Sequence, residues 1–205
     1  MLKVHALCLG AYHTNCYILH ADSSDACVII DPGYEPERVL DYVNQQGLSV
    51  AAILLTHGHF DHVGGVETIY KATGCQIWMR DGDRVSLMIY DGTPLFPFAF
   101  GTDLPIRFCQ DEDTLRIADL EITVISTPGH TEGCVSYRCD NCLFTGDTLF
   151  AGTCGRTDLP GGNFPKILAS LSRLGALEQE LRVLPGHGRI STLEEEKKHN
   201  PYMRG

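Results

Sequence analysis

Thr56-His57-Gly58-His59-Phe60-Asp61-His62 places three imidazoles and one carboxylate in a single short stretch, directly after the apolar run Ala51 to Leu55. Neutral imidazole nitrogens and carboxylate oxygens are the donors that bind zinc, iron or manganese. His57 and His59 share one face of an extended chain, whereas Asp61 and His62 require the chain to turn. Gly58 and the pair Gly64-Gly65 supply the backbone freedom for that turn. A site split between two ions is the economical explanation.

The same device, a His or Asp beside Gly just after an apolar run, recurs three times. Ile122 to Ile125 leads to Thr127-Pro128-Gly129-His130, Leu143-Phe144 leads to Thr145-Gly146-Asp147, and Val183-Leu184 leads to Pro185-Gly186-His187-Gly188. Seven candidate ligands follow: His57, His59, Asp61, His62, His130, Asp147 and His187. Metal pairs about 3.5 to 4 Å apart recur in hydrolases because together they bind and activate one water. His5, His13, His20 and His199 lie outside any such pattern and are expected to be ordinary surface or packing residues.

For these ligands to meet, the segments before them must be strands that end on one rim, where α/β proteins tend to place their sites. Val4 to Leu9, Cys16 to His20, Cys27 to Ile30 and Ala51 to Leu55 are short apolar runs bounded by turn residues, and they predict strands. Pro36 to Val43 has Pro in its first turn, apolar residues three and four apart, and Gly47 as a stop, which predicts an amphipathic helix. Further helices are expected from about Gly65 to Thr73, from about Arg80 to Tyr90, and from Asn163-Phe164-Pro165 to about Leu174. Strands are expected at Ile106 to Phe108, Ile122 to Ile125, Val135 to Arg138, Leu143 to Thr145 and Val183-Leu184. Ser191-x-x-Glu194 carries a capping-box signature and predicts a short charged helix at the end. Strands outnumber helices and the helices are spread along the chain, a pattern that two mixed sheets with helices on their outer faces satisfy. No repeat, low-complexity tract or long linker divides the 205 residues, so one domain spanning 1–205 is expected.

Composition narrows the partners. The formal charge of −10 comes from 26 acidic against 16 basic residues, with no Lys/Arg cluster to track a phosphate backbone, so nucleic acid is not an expected partner. The apolar runs stop far short of the roughly 20 residues that span a bilayer. Met1 to His5 lacks the apolar stretch of a secretion signal, so a cytoplasmic protein without a membrane partner is expected, as a monomer or small homo-oligomer. The nine cysteines, an odd number, are read as reduced, buried, small apolar residues rather than a disulfide framework. In the one C-x-x-C, Cys139-Asp140-Asn141-Cys142, the middle pair sits where a two-residue hairpin turn belongs.

The run His57-x-His59-x-Asp61-His62, followed by a lone His130, a lone Asp147 and a final His187, resembles the metallo-β-lactamase superfamily from Asp31-Pro32-Gly33 onward. The resemblance implies an α/β fold, a four-layer αββα sandwich with the site along one edge. It implies that His57, His59 and His130 hold a first metal, that Asp61, His62 and His187 hold a second, and that Asp147 bridges them. Asp31 matches an acidic position that supports the site in the family, and also reads as a turn-forming Asp-Pro-Gly. Within the superfamily, Leu149 to Asp158 and Asn200-Pro201-Tyr202 resemble the glyoxalase II group, especially short bacterial members. Two features depart from the full-length enzymes of that group: too little chain follows His187 for their C-terminal glutathione-binding helical domain, and Arg156-Thr157-Asp158 stands where they carry Lys-x-Tyr.

The chemistry implied is hydrolysis. Two divalent cations, zinc or else iron or manganese, lower the pKa of a shared water, and the resulting hydroxide attacks the carbonyl of a thioester such as S-lactoylglutathione or of a related ester. Asp61 is a candidate to pass a proton besides acting as a ligand. Arg156, with its planar fork, is a candidate for a substrate carboxylate, set against a salt bridge to Asp158. The aromatic patch Phe96 to Phe100 reads first as core and second as a lip over the site. The competing activities are a mononuclear-iron persulfide dioxygenase, which shares the fold and a similar Gly-Arg-Thr-Asp run, and a lactonase or β-lactamase on the same site. A non-catalytic binding protein is expected to have lost ligands, and here none is missing.

Overall fold

A computed structural model describes residues 1–83 and 104–204. β1 (Leu2–Leu9), β2 (Thr14–Ala21) and β3 (Ala26–Ile30) pair antiparallel; β4 (Ser49–Leu54), β5 (Gln76–Met79) and β6 (Ile106–Phe108) then extend the sheet in parallel from β3. The second sheet runs through β7 (Thr114–Ile117), β8 (Leu120–Ser126), β9 (Val135–Cys139) and β10 (Cys142–Gly146) as antiparallel neighbours. β13 (Arg182–Pro185) then joins β10 in parallel, and β14 (Ser191–Thr192) closes the edge. β11 (Leu149–Phe150) and β12 (Thr153–Cys154) form a separate small hairpin.

Three buried clusters explain the layering. Tyr17, Leu19, Val28, Ile30 and Leu54 of the first sheet face Val124, Val135, Tyr137, Phe144 and Leu184 of the second. The alternate residues Ile18, Ile29 and Ile53 point the other way, onto Val39 and Val43 of α1 (Pro36–Gln45) and Val66 and Ile69 of α3 (Val66–Thr73). Leu143 and Val183 pack outward against Leu171 and Leu174 of α4 (Phe164–Gly175) and Leu193 of α5 (Leu193–His199). The result is the expected four-layer α/β sandwich of two mixed sheets flanked by helices. Because strands such as β3 are buried on both faces, they read as unbroken apolar runs rather than alternating ones. Each Leu or Ile so buried contributes about 1.5–3 kcal/mol.

The helix boundaries follow local chemistry. α1 starts on Pro36 and stops before Gly47, whose φ of +67° only glycine takes without strain. Asn163 caps α4 by accepting from the Lys166 N–H at 3.0 Å. The cap expected at Ser191 lies one residue on: Ser191 is buried as a β14 residue paired with Val183, and Thr192 Oγ1 accepts from the Glu195 N–H at 3.1 Å. Of the helix expected from about Arg80 to Tyr90, Arg80 is not helical, a 3₁₀ turn covers Asp81–Asp83, and residues 84–90 lie outside the described residues, as do Phe96 to Phe100. β5, β7 and the one-turn helix α2 (Phe60–Val63) were not expected.

All nine cysteines are free, and seven of them are buried. Burial pushes the Cys27 and Cys139 thiols up to about 12. Cys139 and Cys142 pair across the expected two-residue turn, with Asp140 in the left-handed region at φ +53°. Among the described residues no helix is long and apolar enough to cross a membrane.

Candidate metal centre

The ends of β4, β8, β10 and β13 meet along one edge of the sandwich. β4 of the first sheet runs into residues 56–59, and α2 turns the chain so that Asp61 and His62 face back toward it. From the second sheet, β8 leads to His130, β10 to Asp147 and β13 to His187. All seven expected ligands come together there. Among the described residues His57, His59 and His130 form one group, Asp61, His62 and His187 a second, and Asp31, His57 and His62 a third that lies across the first two, each with its ligand atoms within 4.8 Å of one another.

In the first group His59 Nδ1 lies 3.1 Å from His57 Nε2 and 2.8 Å from His130 Nε2. In the second, His62 Nε2 is 3.3 Å from His187 Nε2, and Asp61 Oδ2 is 3.2 Å from His187 Nε2 and 3.6 Å from His62 Nε2. Asp147 reaches both: Oδ2 is 3.5 Å from His130 Nε2 and 3.6 Å from His187 Nε2, and Oδ1 is 3.4 Å from His62 Nε2.

Outside the first two groups, the hydrogen bonds assign the imidazole protons. His130 Nδ1–H donates to the Arg156 carbonyl at 2.7 Å and His187 Nδ1–H to the Tyr12 carbonyl at 3.0 Å. His62 Nδ1–H donates to Asp31 Oδ2 at 2.9 Å. Thr56 Oγ1–H also donates to Asp31 Oδ2, at 2.6 Å, which leaves its oxygen to accept from His57 Nδ1–H at 3.1 Å. Asp31, buried and at φ +50°, therefore orients both His62 and His57 and combines the two expectations for it, site support and turn.

The inward nitrogens are then lone pairs that face one another. Burial, followed by the neighbouring imidazoles, pushes His57 down and His59 down to about 4, so both are neutral near pH 7. Zn–N bonds of 2.0–2.1 Å in tetrahedral geometry separate ligand nitrogens by roughly 3.4 Å, close to the spacings here. Burial alone would lower His62, yet the carboxylates of Asp147, Asp61 and Asp31 raise it well above its ordinary value, which marks the second group as a place that attracts positive charge. Asp147 Oδ1 is buried with no hydrogen-bond partner, an orphan acceptor between the groups. Converging lone pairs, clustered carboxylates and an orphan oxygen fit a pair of cations.

Glycine makes the approach possible. A Cβ on Gly186 would collide with Asp147 Oδ1 and with the His62 ring, so only glycine fits before His187; one on Gly146 would strike Thr56 and one on Gly129 the backbone of Ile167.

A cavity of about 600 Å³ opens over the cluster, lined by Tyr12, Phe60, Phe150, Leu159 and Arg156 together with His59, Asp61, His130, Asp147 and His187. Arg156 does not present a free fork: Nε and Nη2 donate to Asp158 at 2.7 and 2.6 Å. Thr14, missing from the sequence reading, donates from Oγ1 to Asp61 Oδ2 at 3.1 Å. Burial would raise the Asp61 carboxyl, but His62, His187 and this hydroxyl hold it well below the usual carboxylate range. No local spacing marks Thr14, because its partner lies 47 residues away. Asn15 and Tyr17 likewise hold the loop of His187 by donating to the Pro185 carbonyl at 3.0 and 2.7 Å. His5, His13, His20 and His199 take no part in the groups; His5 stacks on Tyr42 with ring centroids 3.8 Å apart.

The sequence pattern of the metallo-beta-lactamase superfamily matches residues 9–187. The chain belongs to that superfamily. Hydroxyacylglutathione hydrolase GloC of Haemophilus influenzae is 31% identical over 98% of this chain and 98% of its own length. Among solved structures, the BLEG-1 B3 metallo-beta-lactamase is 33% identical with a TM-score of 0.89, covering 100% of both chains. TTHA1623 in a di-iron-bound form is 37% identical with a TM-score of 0.84, covering 97% of this chain and 100% of its own.

Proposed function

We propose that this chain is a metal-dependent hydrolase that cleaves a thioester such as S-lactoylglutathione, or a related ester, with two divalent cations at the strand-end site. The observation that carries the reading is the pair of three-residue groups with Asp147 between them under one cavity. Similarity to hydroxyacylglutathione hydrolase GloC along nearly the whole of both chains supports the substrate class. The proposed ligands are His57, His59 and His130 for the first cation and Asp61, His62 and His187 for the second, with Asp147 between. The donor set suits zinc, iron and manganese. Zinc is the cation proposed, and the di-iron form of TTHA1623 supports iron as the alternative. Free, buried cysteines fit the reducing conditions of the cytoplasm, the proposed location.

When bound, the cations supply an activated water and polarise the substrate carbonyl. The chain's own residues prepare the rest. Asp31 and Thr56 fix the His62 and His57 rings, while Thr14 fixes the Asp61 carboxylate. Asp61, held as the carboxylate, acts as a ligand first; as a base so far below neutrality it is a weak proton acceptor. Tyr12, Phe60, Phe150 and Leu159 give the cavity an apolar wall against which the acyl group of a substrate would lie. The sulfur of a thioester leaves as thiolate without strong protonation, so no further acid is required.

The test is hydrolysis of S-lactoylglutathione by the purified chain, with oxygen uptake measured on glutathione persulfide. Hydrolysis that stops on chelation and returns with zinc is the expected result. One iron per chain, no hydrolysis, and oxygen uptake would replace the reading with a dioxygenase.

A further inference from the structure

Asp83 is fully buried at the end of the 3₁₀ turn that follows β5, and it is not one of the ligands. Three donors converge on it. Oδ2 accepts from the Gly58 N–H at 2.9 Å and from Thr131 Oγ1–H at 2.6 Å, and Oδ1 accepts from the Gly133 N–H at 2.7 Å. Gly58 sits between His57 and His59, and Thr131 follows His130. One carboxylate thus ties together the two loops that supply all three nitrogens of the first group. Those loops leave different sheets, since residues 56–59 follow β4 and residues 127–134 join β8 to β9. None of these bonds reaches Asp61, His62 or His187, whose supports are Asp31, Thr14 and the Tyr12 carbonyl.

The fit is close. A Cβ on Gly133 would lie 2.5 to 2.6 Å from Asp83, and one on Gly82 would lie 2.8 Å from the Gly133 backbone. The two glycines let the turn and the His130 loop approach until the carboxylate reaches both strand ends.

We propose that Asp83 is the positioning residue of the first metal group: it sets the spacing of His57, His59 and His130, and hence the affinity of that position alone. The proposal rests on the two-cation reading above. The hydrogen bonds of Asp83 go to Gly58, Thr131 and Gly133 and not to a candidate ligand side chain, so it acts through the backbone of Gly58 and the loop of Thr131. In Asp83→Asn the side-chain shape is kept, but an NH₂ group must face at least one N–H or O–H donor. The loss expected for an outer partner of a metal ligand is about 10- to 100-fold in affinity.

The experiment titrates zinc into the metal-depleted protein against a chromophoric chelator. Occupancy of the two positions is then read by anomalous diffraction at limiting zinc, for wild type, Asp83→Asn and Thr131→Val. The expected result is weakening of the His57/His59/His130 position by about 10- to 100-fold in Asp83→Asn, with the Asp61/His62/His187 position unchanged. Thr131→Val, which removes one donor and leaves the carboxylate, should show a smaller loss at the same position. It carries the test alone if circular dichroism shows that Asp83→Asn has not folded. Equal weakening at both positions, or none at either, would overturn the proposal. A wild type that binds fewer than two ions would overturn the reading beneath it.

Discussion

At the scale of single residues Asp147 is the centre of the proposed site, because it approaches both groups from the cavity side and keeps an unpartnered oxygen between them. Asp147→Ala should lower metal content from two ions per chain to one or none and reduce kcat/KM by more than the roughly 10- to 100-fold typical of outer partners; elemental analysis and steady-state kinetics measure both. Arg156 admits a sharper test than its own deletion, since Asp158 occupies Nε and Nη2. If Arg156 takes a substrate carboxylate, Asp158→Asn frees the fork and KM falls, while Arg156→Ala raises KM with kcat unchanged. If the pair only shapes the loop, both variants move KM in the same direction. The candidate ligands were legible in the sequence because metal chemistry admits few residue types, and five of the seven, all but Asp61 and His62, stand next to a glycine just after an apolar run. Thr14 and Asp83 were not legible, because a lone Thr or Asp acquires meaning only from donors and acceptors brought to it by the fold from 25 to 50 residues away.

Among the elements, strands buried on both faces were the easiest to read, as unbroken runs such as Cys27 to Ile30. β5 and β7 escaped notice for the opposite reason: four residues each, with Gln76, Thr114 and Arg116 exposed to water, leave too little pattern to separate a strand from a loop. α2 is one turn long, too short for a periodic pattern, and it turns Asp61 and His62 toward the cluster while Val63 packs into the core. Elements also carry the rim of the cavity. Phe150 lies on the β11–β12 hairpin, which is held by the buried pair Glu196 and Asn200 of the C-terminal segment. Glu196 Oε2 accepts from the Gly152 N–H at 2.8 Å, and Asn200 Nδ2 donates to the Thr153 carbonyl at 3.0 Å. This gives Asn200-Pro201-Tyr202 a structural reason. Asn200→Ala should loosen the hairpin, raising KM on S-lactoylglutathione while metal content stays at the wild-type value. A Gly186→Ala variant should do the reverse, since its Cβ strikes Asp147 and His62: metal is lost, while circular dichroism still reports the wild-type secondary structure.

For the whole molecule, the candidate site joins the two sheets. β4 of one sheet and β8, β10 and β13 of the other end at the same cluster, so the proposed cations would add a link between halves that already meet through the central apolar layer and through hydrogen bonds such as Tyr17 to the Pro185 carbonyl. Without cations, the three buried carboxylates Asp31, Asp61 and Asp147 have His62, which they hold well above its ordinary value, as their nearest counter-charge. Free metal at 1,000 times its dissociation constant stabilises a folded chain by about 4 kcal/mol, which for a chain of this size is roughly 8–16 °C in melting temperature. Thermal scans with and without a chelator should show a drop of that order, reversed by adding zinc. An unchanged melting temperature would mean that the cluster binds no ion tightly. The central claim is that two cations sit side by side under the cavity, and anomalous diffraction at a metal absorption edge, on crystals of the protein purified without added metal, tests it most directly. The account predicts two peaks about 3.5 to 4 Å apart, one among His57, His59 and His130 and one among Asp61, His62 and His187, with Asp147 between them. A single peak, or peaks away from these residues, would contradict it.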